Sequence, residues 1–208
     1  MTNKKAPTAG TFNRRNFLRN AATAAGAVAL GAPTAAEDSS ESPRLPETPL
    51  SVAAWEEFQQ HLAAVLPDLS EDEYLVITRK QTNQFVQFAA QGRHGMRAET
   101  VGNAYLEQDA QLSADSVASL VTMGWHAPTL KPKRTSQEEE PPDGSPNFFV
   151  DAATPVPHGH LAALAVKALR EVYRVGHPGQ LEYIAASSVD EWVSIRFPSL
   201  GIKRESRG

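Results

Sequence analysis

The 208-residue chain contains no cysteine. Disulfides, thiol catalysis and cysteine-ligated zinc are therefore excluded. It also lacks a G-x-S-x-G elbow, an H-E-x-x-H helix and a G-x-x-x-x-G-K loop, so acyl transfer, metalloprotease and phosphate-cradling chemistry have no local signature. Acidic residues are missing from positions 1 to 36, where Lys4, Lys5, Arg14, Arg15 and Arg19 give a charge of +5. Basic residues are then scarce: of the 20 in the chain, 15 remain against 24 acidic ones, a balance of −9 for the rest. Such a body repels phosphate backbones and anionic lipid surfaces and lacks the basic stripe that nucleic-acid binding needs. The length suits one domain with a real core.

The basic start has an order to it. Asn13-Arg14-Arg15-Asn16-Phe17-Leu18-Arg19 resembles the twin-arginine (Tat) export motif, with Arg14, Arg15, Phe17 and Leu18 as its key positions. Ala21 to Ala32 follows, a run of Ala and Gly in which Val28 and Leu30 are the larger apolar residues. It is too short and too weakly apolar for a stable membrane span. Small residues at 32 to 36 suit cleavage. Residues 1–36 thus read as a signal peptide recognised by the Tat translocase, delivering the domain to the cell envelope or beyond. The alternative is a basic disordered arm on a cytoplasmic adaptor. Residues 37–50, rich in Glu, Ser and Pro, read as a disordered linker.

From Ser51, Val52, Trp55, Phe58, Leu62, Val65 and Leu66 recur at helical spacing up to Pro67. Tyr74 to Arg79, Phe85 to Ala90 and Met96 to Val101 form three short apolar runs separated by polar breaks, which predicts an antiparallel meander. Ser113 as N-cap, Val117, Leu120 and Val121 on one face, and Gly124 as terminator predict a short helix. Residues 128–146, with most of the chain's later prolines and the run Glu138-Glu139-Glu140, read as a flexible loop. A strand over Asn147 to Asp151, a helix from Gly159 to Val175 and a strand over Leu181 to Ala186 complete the order α-β-β-β-α-β-α-β. The class is α+β, a mainly antiparallel sheet with helices packed on one face. Trp192 to Phe197 alternates as an extra edge strand would, so 188–208 reads as an extension with an edge strand and a disordered tail.

Phe88, Ala98-Glu99, Gly102-Asn103, Tyr105-Leu106, Leu112-Ser113, Leu120, Gly124-Trp125, Asn147-Phe148-Phe149 and the helix Ala162 to Tyr173 together resemble the TY-Chap family, domains related to type III secretion chaperones and YbjN-type proteins. The similarity runs from about Val52 to Ala186. It implies a fold that offers an apolar groove to a peptide or protein segment, with no catalysis and no cofactor. It makes Glu99, Asn103, Tyr105, Trp125, Asn147 and Phe148 the family-motif residues. Relatives of the secretion-chaperone type commonly dimerise, so the resemblance admits a homodimer.

Within that frame, Met96, Val117 and Trp125 are expected to line the partner-binding surface, Trp125 at its rim; the competing reading makes Trp125 a core cap. Asp151, His158 and His160, with His177 nearby, form the only cluster with metal-like composition, although two histidines at a helix entry are more often polar capping. His61 and His94 read as surface residues. The sequence therefore points to an exported, non-enzymatic peptide- or protein-binding domain, with an exported metal- or small-ligand-binding protein as the rival.

Overall fold

A computed structural model describes residues 49–79, 82–129, 145–189 and 195–205. The export motif Arg14, Arg15, Phe17 and Leu18, most of the linker and the loop at 130–144 lie outside the described residues.

The first helix, α1, spans Pro49–Val65. Trp55, Phe58, Leu62 and Val65 are all buried, one turn apart, and Trp55 meets Phe58 edge to face with ring centroids 5.9 Å apart. Pro67 cannot donate to an α-helical ladder, and the chain tightens there into a single 3-10 turn, Leu66–Asp68. Three strands follow as a meander: β1 Glu73–Arg79, β2 Phe85–Ala90 and β3 Met96–Thr100. The β2–β3 connection turns through Gly92–His94 and closes at Gly95, whose φ of +94° is open to glycine. An added Cβ there would stand 1.9 Å from the carbonyl oxygen of Ala152, so the hairpin backs directly onto the next strand.

Helix α2, Ala114–Met123, starts where its cap residue predicts: the Ser113 hydroxyl accepts from the Ser116 N–H at 3.2 Å. It ends at Gly124 in the left-handed region. Strand β4, Phe148–Ala152, precedes helix α3, His158–Lys167, which runs on into a wider π turn over Ala168–Val172. That turn delivers the Tyr173 hydroxyl to the sheet, where it accepts from Thr100 Oγ1 and donates to the Val101 carbonyl, both at 2.8 Å. Strand β5 is Leu181–Ser187.

The sheet order is β4-β3-β2-β1-β5-β6, antiparallel except for the last pair. Strand β6, Lys203–Arg204, lies parallel to β5. Here the expectation for the C-terminus needs correction. Residues 192–194 of the predicted edge strand lie outside the described residues, and 195–197 are not strand. The described residues 195–205 pack onto the domain: Phe197 and Leu200 enter the core, and the Phe197 N–H donates to the Tyr183 hydroxyl. Large apolar side chains reach the core where an edge strand and a disordered tail were expected.

Register decides which side of the sheet is which. Thr100, Ala98 and Met96 face the same way as Val86, Phe88 and Ala90, then Ile77 and Leu75, then Tyr183 and Ala185. Tyr173 at the end of α3 bonds Thr100, so α3 lies on this side; α1 packs on α3, and α2 packs on the π turn that follows α3. All three helices thus cover one face.

Candidate functional site

The opposite face carries Tyr74, Val76 and Thr78 of β1, Phe85, Gln87 and Ala89 of β2, Arg97 and Glu99 of β3, Phe149 and Asp151 of β4, and Ile184 of β5. No described helix lies over it, yet Val76, Gln87, Arg97, Glu99 and Phe149 are buried. Its composition is mixed: apolar side chains surround a short polar row. Pairing places Ile184, Val76, Gln87, Glu99 and Phe149 side by side across five strands. His126 extends that row, through a bridge to Phe149 and a ring contact at 5.3 Å.

Glu99 is the centre of the row. Its Oε2 accepts a very short hydrogen bond from Gln87 Nε2 and a longer one, 3.4 Å, from Asn147 Nδ2. The orientation of Asn147 follows from its neighbours, because its Oδ1 accepts from the Gly102 N–H at 3.3 Å and leaves the amide NH2 to face Glu99. Gly102 sits tightly against this strand, since a Cβ there would come within 3.1 Å of the Pro146 carbonyl oxygen. Gln87 Oε1 is buried without a partner.

The neighbouring row holds Arg97 and Asp151, directly opposite each other. Arg97 Nε and Nη2 each donate to an Asp151 carboxylate oxygen at 2.5 Å, a bidentate fork, and the guanidinium lies 5.1 Å from the Phe149 ring centroid. Arg97 is nearly buried while Asp151 is half exposed.

The sequence-derived site residues separate into distinct groups. Glu99 and Asn147 come together. Asn103 instead grips Leu112 from both sides, donating to its carbonyl at 2.9 Å and accepting from its N–H at 2.7 Å, which closes the loop before α2. Tyr105 is half-buried, and its carbonyl accepts from Asn83. Phe148 is buried on the helix face.

Met96 and Trp125, expected to line a binding surface, are each 2% exposed, and Val117 is only half exposed against the core. The register explains Met96: it pairs with Ala90 and Ala152 on the side the helices cover. Trp125 follows the left-handed Gly124 and folds back into the core, as its competing reading had it, with its buried indole N–H unpartnered.

The metal-like cluster does not assemble, since the Asp151 carboxylate is committed to Arg97 and His177 caps the turn at Pro178–Gln180 by accepting from the Gly179 N–H. Among the described residues no group of three or more His, Cys, Asp or Glu side chains converges on a metal position. Nor is any described helix long and apolar enough to cross a membrane.

Sequence reasoning missed Gln87, Arg97 and Val76. A signal was present: Gln87 is the one polar residue in an otherwise apolar strand, and counting back through the β2–β3 turn sets it opposite Glu99.

The described sheet thus carries three helices on one face and the Glu99–Asn147 contact at the other. The family model for T3SS (YopN, CesT) and YbjN peptide-binding chaperone 3, TY-Chap3, matches residues 50–187, and the chain belongs to that family. No curated protein and no solved structure matches it.

Proposed function

We propose that this protein is a non-enzymatic, peptide-binding chaperone or adaptor, exported by the twin-arginine route, that holds an extended segment of a partner protein against the helix-free face of its sheet. The observation that carries the reading is the match of residues 50–187 to a peptide-binding chaperone family; the contact of Glu99 with Asn147, both expected as motif residues from the resemblance, supports this face. An extended peptide laid on such a face buries apolar side chains against Val76, Phe149 and Ile184, while its polar groups meet a fixed polar row. The metal-binding rival loses its support once Asp151 is paired with Arg97.

Binding is tested with Ile184→Lys, a half-buried position on the proposed face, against Val121→Lys on exposed α2. Partner capture drops with the first and stays with the second; the reverse pattern moves the site to the helices. Export is tested separately by Arg14→Lys with Arg15→Lys, because an ammonium does not replace a guanidinium fork. The processed protein then disappears from the exported fraction. Unchanged export with an intact Met1 removes the Tat reading.

A further inference from the structure

A sheet face open to water leaves its side chains partly exposed, and a buried one needs something packed over it. On the helix-free face Val76 is 5% exposed, Gln87 2%, Glu99 8% and Phe149 8%, although no described helix or strand crosses over them. The cover therefore comes from stretches of this chain outside the described residues, of which 1–48, 130–144 and 190–194 are long enough to matter; 80–81 and 206–208 are too short to span a face five strands and about 19 Å wide.

Reach and composition choose among the three. Residues 190–194 are tied beside β1 and β5 at both ends, where the Ser188 N–H donates to the Asp72 carbonyl and the Ile195 N–H to the Ala185 carbonyl. So short a loop extends about 10 Å out and back, two strand spacings at most, and does not reach Glu99 or Phe149. Residues 130–144 offer Leu130 and otherwise only glycine, proline and polar or charged side chains, which favour water over an apolar face. The N-terminal segment is different. Residues 21–32 carry no charge, and Phe17, Leu18, Val28 and Leu30 supply large apolar side chains. Residues 33–48 span about 50 Å when extended, enough to bring that run from the start of α1 around the sheet edge. Charge agrees, with +5 on residues 1–36 against −9 on the rest.

We propose that the chain's own N-terminal segment is the resident occupant of the helix-free face: the apolar side chains of residues 17–32 lie over Val76, Gln87, Glu99 and Phe149, and removal of the segment uncovers them. The face is thus closed to other segments in the uncut chain. The inference rests on the peptide-binding reading for what the uncovered face does, not for what covers it.

Because the chain has no cysteine, a single Ala27→Cys in the full chain carries a nitroxide at one known place. Amide signals of Val76, Gln87 and Glu99 are expected to lose most of their intensity, while those of Ala118 and Val121 on α2 keep theirs. Quenching of the face from a label at Ser136→Cys or Val193→Cys, with none from Ala27→Cys, overturns the N-terminal occupant, as does quenching confined to the helices. A second measurement uses a fluorescein-labelled peptide of alternating Val and Thr, read by anisotropy. Val28→Asp with Leu30→Asp is expected to bind it about tenfold tighter than the unsubstituted chain. Equal binding to both overturns the closure. Binding to neither, with the face still quenched from Ala27→Cys, overturns the peptide-binding reading and leaves the N-terminal contact standing.

Discussion

At the scale of single residues, the informative side chains are polar ones in apolar places. Tyr173 is nearly fully buried, and burial pushes its phenol well above the ordinary tyrosine range against a smaller opposing pull from the Thr100 hydrogen bond. A group whose pKa is raised on folding contributes stability that is complete below its unfolded value of about 10 and is lost as pH rises from there toward the folded value. Alkaline unfolding is therefore expected to steepen above about pH 10, and Tyr173→Phe should flatten that limb while costing about 1 to 2 kcal/mol at neutral pH, since the Val101 carbonyl loses the hydroxyl donor while Thr100 keeps its bond to the Phe85 carbonyl. Denaturant melts across pH check both. The Arg97–Asp151 fork is a different case. With Asp151 half exposed to water, Asp151→Asn should cost about 1 kcal/mol or less, whereas Arg97→Ala also strips the contact with Phe149 and should cost more.

Elements obey their local signals where backbone chemistry sets the boundary. Ser113 caps α2 and Gly124 ends it because a side-chain acceptor and a left-handed φ are needed there; Pro67 ends α1 for want of an N–H. Two of the four positive-φ glycines among the described residues, Gly124 and Gly95, should respond differently. Gly124→Ala meets nothing within 4 Å and loses only conformational ease, about 1 kcal/mol. Gly95→Ala drives a methyl into the backbone of Ala152 and should cost several times as much, with loss of β3–β4 pairing visible in amide exchange. At the other edge, burial and then the like charge of Glu182 raise the Glu205 carboxyl above its ordinary value. Its contribution is present in acid and lost as pH rises through that folded value, so β6 should fray as the medium is neutralised, less so in Glu182→Gln. What sequence could not give was the far edge: Phe197 and Leu200 look like a tail until Tyr183 and α1 are seen to need covering.

For the whole molecule, the chain order of elements, the β1–β2–β3 meander and the one-sided helices were legible because each apolar run was short, bounded and correctly spaced; the order of strands across the sheet and the parallel β6 were not. The site was only half legible. Glu99 and Asn147 stood out as motif residues, but their meeting depends on a hairpin register and on a strand that returns after a long loop, neither of which a linear pattern encodes. Met96 was misplaced for the same reason: apolar character marks a side chain as fit for either face of a sheet, and only the register tells which face the helices take, whereas Trp125, outside the strands, turns back from Gly124 into the core. The central claim is that the helix-free face, not the helical one, is where a partner segment lies. Amide chemical-shift mapping by NMR tests it most directly, by adding the alternating Val and Thr peptide to the full chain carrying Val28→Asp and Leu30→Asp. The account predicts shifts concentrated at Val76, Gln87, Glu99, Phe149 and Ile184, with α1 and α3 unmoved. Shifts confined to α1, α2 or α3 would contradict it.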